Sequence, residues 1–449
     1  MTEATTDEAA VEASKPALPP VVRIPRVVQA AGFVAARRRT TMALKDKYGN
    51  AFTLDLPMFG HTVVISDPTL AKQVFTTSTD VLGNVQPNLS RLLGSGSVFG
   101  LEGADHRRRR KLLTPPFHGK SIKNYEAIVV EETLRETATW PEGSEFATLE
   151  PMMRITLNII LRAVFGAAGH ELDDLRRMMP TWITLGSRLA PFPTPKRDWG
   201  QWSPWARIAA HRRHYYDILD TLIARARADP KLADRTDVLA LFLQSTYEDG
   251  SPMSRTEIGD ELLTLLAAGH ETTASTLAWA CERLSRHPDV LAEMADEALT
   301  DVNDLRQAAI LEVQRVRTII DFVGRHVLGE MVEVGPWRIP RGYTILVSIL
   351  NMHADAEAFP DPDRFDPRRF VDAKVNTLSW MPFGGGTRRC VGAAFANMEM
   401  DVVLRTVLRE FAIEPTGRAP EKWHARGVAY TPKDGGRITV RRRAAAATG

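Results

Sequence analysis

Cys390 stands in the run Phe383-Gly384-Gly385-Gly386-Thr387-Arg388-Arg389-Cys390-Val391-Gly392 and is one of only 2 cysteines in 449 residues. The glycines let the backbone turn sharply and approach a flat ligand closely, because no Cβ intervenes. Two guanidinium groups beside a thiol favour the thiolate, the form that attacks electrophiles and ligates metals. From Ala393 onward the pattern AAFANMEMDVVLRTVLREF places Phe395, Met398 and Val402 on one apolar helical face. Cys390 therefore precedes a helix N-terminus, where free N–H groups and the dipole further stabilise negative charge. A cysteine so placed is a nucleophile or a metal ligand, and these residues alone leave both open.

A second constellation is Ala268-Gly269-His270-Glu271-Thr272-Thr273, an acid beside an alcohol inside a long helical run. A buried acid is costly unless it is hydrogen-bonded or used. A helical threonine can bond the carbonyl one turn back and open the ladder locally. Gly269 weakens the helix further and is expected to leave room for a small ligand. The plain alternative is a solvent-facing polar pair, but Leu262, Leu265, Leu266 and Leu277 around it argue for burial. The densest basic run is HRRRRK from His106 to Lys111. His106 and Arg110, spaced i,i+4, share one helix face, and the remaining arginines are expected to project outward. Glu312 and Arg315 form an i,i+3 pair, followed by Pro362-Asp363-Arg364-Phe365.

The elements that must position these groups are legible in outline. Ser254 and Glu257 form a capping box, and no proline interrupts the helix it opens until Pro288, which makes it roughly 45–50 Å long. AFTLDL and HTVVIS read as strands joined around Pro57 and Gly60, and Asp67-Pro68 opens a helix. Helices are expected over 125–140, 152–168 and 172–189, and from about Asp304. VEVGPWRIPRGYTILVSIL reads as strand, turn and strand, and YTPKDGGRITVRRR as a hairpin around Asp434-Gly435-Gly436. Two long loops, 83–103 and the tryptophan-rich 191–204, have the length and exposure of functional segments.

Composition narrows the class. Hydrophobic content of 44% and charged content of 25% suit a globular protein with a large core. A net charge of +2 and the lack of ligand-spaced Cys/His pairs exclude a general polyanion binder and a zinc module, so no nucleic acid partner is expected. Cys281 and Cys390 form no pair motif, which points to the reducing cytoplasm. No apolar run is long enough for a transmembrane anchor, and VVQAAGFVAARRRT reads as an amphipathic surface helix. The expected organisation is a disordered leader over 1–20, a single domain over 21–443 and a flexible tail over 444–449.

The cysteine run resembles the haem-binding loop of the cytochrome P450 family, F-x-x-G-x-R-x-C-x-G, with Phe383, Gly386, Arg388, Cys390 and Gly392 at its fixed positions. The acid–alcohol run is similar to that family's A-G-x-[DE]-T-[TS], Glu312 and Arg315 to its E-x-x-R, Pro362 to Phe365 to its P-x-R-F, and His106 with Arg110 to its H-x-x-x-R. The resemblance extends from about Ala51 to Val440. It implies a mainly α fold with a smaller β region, and haem b between the long central helix and the cysteine loop with its following helix. Cys390 is then the metal ligand through its thiolate. His106, Arg110, Arg325, Phe383 and Arg388 are the cofactor-binding residues, and Thr272 and Glu271 the catalytic ones. Glu312, Arg315 and Arg364 form a buried structural triad.

The activity so implied is insertion of one oxygen atom of O2 into a mostly apolar small molecule of fatty acid, sterol or terpene character. Leu93, Val98 and Phe99 fall near the substrate. Electrons come from a separate ferredoxin and ferredoxin reductase, toward which the outward arginines face. The alanine- and arginine-rich chain resembles a mycobacterial member. One departure stands out: relatives carry prolines soon after E-x-x-R, whereas VRTIIDFVG has none. Ile319 to Val323 fall where the family lines its pocket, so no substrate transfers from better-known members. The rivals are a peroxide-using or isomerising haem-thiolate enzyme, which often lacks the acid–alcohol pair, and a haem carrier without turnover.

Overall fold

The structure is a computed structural model and describes residues 17–85, 92–166, 170–189, 200–372 and 375–443. The central helix, Arg255–Leu284, is the axis of the fold. It begins as expected: the Ser254 hydroxyl accepts from Glu257 N, and Glu257 Oε2 accepts from Ser254 N at 2.7 Å. Its 30 residues span about 45 Å, and Leu262, Leu266, Leu277 and Trp279 are buried along it. Burying each such side chain stabilises the fold by about 1.5–3 kcal/mol. The helix Leu149–Phe165 packs along it, with Ile155 and Ile159 fully buried, and stops where Gly166 adopts φ +80°.

The strands are β1 (Ala51–Leu56), β2 (Gly60–Ile65), β3 (Leu82–Asn84), β4 (Phe146–Ala147), β5 (Phe322–Val327), β6 (Met331–Val334) and β7 (Trp337–Pro340). They continue with β8 (Thr344–Ser348), β9 (Phe411–Ile413), β10 (Trp423–Arg426), β11 (Ala429–Pro432), β12 (Arg437–Ile438) and β13 (Val440–Arg442). The main sheet runs β1-β2-β8-β5-β3. β1 and β2 form the expected hairpin, β8 joins β2 in parallel, and β5 joins β8 antiparallel. Arg325 is thereby held between Ile345 of β8 and Asn84 of β3. The expected strand–turn–strand is the β6–β7 pair, and β8 leaves it for the main sheet.

Two expectations about the ends are corrected. Asp434 to Gly436 closes no hairpin. β11 pairs back with β10, β12 pairs with β4, and β13 pairs with β9, so the C-terminal strands tie separate parts of the helical body together. A glycine turn matches a hairpin locally, but long-range pairing buries more of these short strands. Of the leader expected over 1–20, residues 17–20 belong to the fold: Ala17 pairs with Arg338, and Pro19 and Pro20 offer carbonyls to Thr53. Residues 1–16 and the tail 444–449 lie outside the described residues.

Candidate active site

The cysteine loop bends because its glycines go where other residues cannot. Gly384 and Gly386 both adopt φ +66°, and Cys390 N donates to Phe383 O at 3.0 Å, closing the loop. A Cβ on Gly386 would lie 1.9 Å from Phe75 O, so the loop rests directly on the end of the helix Pro68–Thr76. We expect Gly386→Ala to cost about 1–3 kcal/mol locally and to lower the haem-to-protein absorbance ratio of purified protein several-fold. Gly417→Ala, in open space, should leave that ratio unchanged; equal ratios for both variants would show that the loop tolerates the shift.

Cys390 is exposed, yet surrounding protein pushes its thiol pKa upward, against the Gly392 N–H and the nearby Arg110 and Arg389 charges. Arg388 is not one of the charges that act on the sulfur: its guanidinium pairs with Glu102 at 2.5 Å and Leu101 O at 2.7 Å. The cations beside the sulfur are Arg110, which donates to Arg389 O, and Arg389 itself. Phe383 packs edge-on to Trp380, with ring centroids 6.3 Å apart.

Three arginines and a buried histidine converge near this loop. His106 is buried on the helix Gly103–Leu113, and Arg110 lies one turn later on the same face. Burial first, then Arg388, Arg110 and Arg325, lower the His106 pKa to about 3. Burial and Arg388 likewise lower Arg325 to about 10. Among the described residues the Arg325 side chain hydrogen-bonds only its neighbour's carbonyl, Gly324 O at 2.8 Å, and lies 5.5 Å from the Phe75 ring centre. His106 Nδ1 and Arg388 Nε are buried without a hydrogen-bond partner among the described residues. Three arginines whose charges press on one another and on a neutral His106, with unpartnered polar nitrogens and the carboxylate of Glu102 among them, form a site for further anionic oxygens. A haem with two propionates fits that requirement.

The central helix carries the second half of the site. Thr272 Oγ1 donates to Ala268 O at 2.9 Å, the back-bond anticipated from the sequence. Ala268 is exposed and Ala267, Gly269 and Thr272 are partly so, although the helix is buried on either side. Small exposed residues in the middle of a core helix mark a volume that protein atoms do not fill. Gly269 serves differently from the expectation. Its missing Cβ would meet Ile160 at 3.2 Å, so this glycine lets two helices approach rather than making room for a ligand. Glu271 is buried, and desolvation raises its pKa to about 7 against the Arg426 charge. Its Oε1 has no hydrogen bond among the described residues and lies 3.5 Å from Arg426 Nε. Arg426 also reaches Glu150 at 3.3 Å and lines a surface cleft of about 280 Å³ with Glu150, Arg188 and His424. No sequence signal links β10 to the central helix, so Arg426 is visible only in three dimensions.

Other placements change the reading. Arg109 does not project outward: it is buried, donating to Tyr247 Oη at 2.8 Å and Glu261 Oε1 at 2.9 Å. Arg108 pairs with Asp249 at 2.5 Å, and Lys111 pairs with Glu248. Arg364 is not the third member of the buried triad. Its side chain is exposed, only its carbonyl meets Arg315, and Arg369 reaches Glu312 at 3.2 Å instead. Two arginines in Asp366-Pro367-Arg368-Arg369 compete with the motif position, and only chain geometry selects between them. Asp321 turns to Arg37 at 3.0 Å rather than lining a pocket. Leu93 is buried, and Val98 and Phe99 are half-buried against the main core. Of the two long loops, residues 86–91 and 190–199 lie outside the described residues.

The cytochrome P450 family pattern matches residues 16–439. "Putative cytochrome P450 138" of Mycobacterium tuberculosis (strain ATCC 25618 / H37Rv) is 64% identical over 426 residues, 95% of this chain and 97% of that protein. "Putative cytochrome P450 135B1" of Mycobacterium bovis is 39% identical over 433 residues, 94% of this chain and 91% of that protein. Among solved structures, retinoic acid bound cyanobacterial CYP120A1 superposes with a TM-score of 0.82 at 22% identity, covering 96% of this chain and 100% of that one, a likeness of fold alone. A family match over nearly the whole chain, on a fold whose cysteine loop adjoins three arginines and a buried histidine, has one meaning: the chain belongs to the cytochrome P450 family and is a haem-dependent monooxygenase.

Proposed function

We propose that Cys390 Sγ would ligate the haem iron, that His106, Arg110, Arg325 and Arg388 would hold the propionates, and that Phe383, packed on Trp380, braces the cysteine loop. We assign proton delivery to Thr272 and Glu271. The haem, when bound, supplies reductive activation of O2 for insertion of one oxygen atom into an apolar substrate. The convergence of Arg110, Arg325 and Arg388 with a buried His106 beside the cysteine loop, where His106 Nδ1 and Arg388 Nε have no partner among the described residues, carries this reading. The Thr272 hydroxyl, tethered to Ala268 O, holds a proton at the edge of the open stretch of the central helix. Glu271 takes protons from the Arg426 side, where the cleft admits water, and passes them toward Thr272.

The half-buried Val98 and Phe99 support an apolar substrate, of fatty acid, sterol or terpene character. Electrons are assigned to a separate ferredoxin and its reductase. Exposed Arg389 and half-paired Arg107 near the loop are suited to steer an acidic carrier. Thr272→Ala should keep substrate binding, read as a spectral shift, but lower product formed per electron consumed by about ten-fold or more. Unchanged coupling in that variant would hand the chemistry to a peroxide-using mechanism.

The raised Glu271 pKa sets a pH window. The folded value, about 7, lies above the 4.5 of an ordinary glutamate. The acid therefore holds its proton below about pH 7 and loses it above, while ionisation weakens the fold progressively as pH rises from about 4.5 to 7. Coupling is expected to fall between about pH 6 and 8. Glu271→Gln should abolish that inflection, and an inflection that persists in the glutamine variant would remove Glu271 from the proton path.

A further inference from the structure

The N-terminal helix, Arg26–Ala35, is turned inside out relative to a normal surface helix. Its buried side carries Gln29, whose amide donates to Val22 O at 3.2 Å and Ile24 O at 2.7 Å and accepts from Asp55 N at 2.8 Å. Phe33 is the other buried residue. The outward side presents Val27, Val28 and Val34, which are 79%, 56% and 68% exposed, with Ala31 and Ala35 also exposed. Spacings of i, i+1, i+4, i+7 and i+8 put these five side chains on one stripe. Val21, 57% exposed, lies just before the helix. The other large exposed hydrophobic residues, such as Leu134 and Leu299, are scattered along the chain.

Arginines rim the stripe. Arg23, Arg26 and Arg39 are exposed. Arg26 lies 3.4 Å from Asp55, whereas Arg23 and Arg39 meet no carboxylate within 4.0 Å among the described residues. An apolar stripe edged by unpaired arginines matches the boundary of an anionic bilayer, with valines entering the acyl margin and guanidinium groups meeting phosphates. A second copy of the chain fits worse, because a symmetric contact would set one arginine rim against the other. Residues 1–16 carry acids at Glu3, Asp7, Glu8 and Glu12, but only Met1 and Val11 as large apolar side chains to cover the stripe. No described helix is long and apolar enough to cross a membrane, so this contact lies on the surface of the bilayer.

We propose that the face formed by Val27, Val28, Ala31, Val34 and their arginine rim docks the protein onto anionic lipid. The test is flotation of the full-length haem-loaded protein with phosphatidylcholine vesicles, with and without about one third phosphatidylglycerol. Each arginine near an anionic surface contributes about five-fold in affinity, so the anionic vesicles should retain about twenty-fold more protein, and added salt should weaken that binding. The Val27→Asp/Val34→Asp double variant should lose retention while keeping its haem spectrum, and Arg23→Glu/Arg39→Glu should lose the preference for anionic lipid. Equal recovery with both vesicle types, or unchanged retention of the valine variant, would overturn the proposal. So would binding that appears only after residues 1–16 are removed, or a vesicle-free dimer that the valine variant dissolves.

Discussion

Cys390→Ser should load little haem, show none of the red-shifted Soret band that carbon monoxide gives with a reduced thiolate-bound haem, and lose monooxygenase activity by about a thousand-fold or more. That loss corresponds to about 4 kcal/mol of barrier. The serine is nearly the same size, and Cys390 N would still reach Phe383 O, so the loop should stay closed and thermal stability of the cofactor-free protein should change little. The prediction separates ligation from folding, because a hydroxyl has none of the thiolate's electron push. A serine variant that keeps both the shifted band and turnover would remove Cys390 as the ligand.

Arg315→Leu is expected to destabilise the fold by about 3–5 kcal/mol, a large share of the 5–15 kcal/mol typical of native proteins. The Arg315 and Glu312 side chains are 1% and 0% exposed. Every Arg315 N–H is used: Nε and Nη2 meet Glu312, Nη1 meets His353 O and Pro362 O, and Nη2 also meets Arg364 O. Leucine would leave the Glu312 carboxylate with Arg369 and the Asp366 N–H, and would strip donors from three carbonyls. Arg364→Ala removes only an exposed side chain 3.9 Å from Asp366, and should cost less than about 0.5 kcal/mol. Denaturant midpoints on the haem-loaded protein distinguish the two. Similar losses for both variants would restore Arg364 to the buried network and refute the geometry described above.

The contrast between Arg364 and Arg369 illustrates what a chain reads out locally. The motif spacing is right, and the helix holding Glu312 and Arg315 follows from its periodicity. The third partner depends on how the segment 362–369 folds back on that helix, where neighbouring arginines compete and burial decides. The run His106 to Lys111 behaves likewise. Five basic residues in a row look like a solvated face, yet Arg109 is buried because Glu261, Glu257 and Tyr247 arrive from distant segments to satisfy it. Gly269, read as space for a ligand, instead admits Ile160, because the neighbouring helix occupies that side.

What the sequence determined by itself is the set of features encoded within a few residues: the glycine-framed cysteine, the acid–alcohol step, the capping box that starts the central helix, and the β1–β2 hairpin. Each depends on backbone freedom, hydrogen bonds within a turn or hydrophobic period, and needs no remote partner. Only the tertiary structure decided which cations surround Cys390, that Arg426 faces Glu271, that the C-terminal strands pair across the molecule, and that the first helix buries glutamine and exposes valine. These outcomes rest on burial and charge pairing between segments far apart in the chain, where the energy of a contact depends on what it excludes from water.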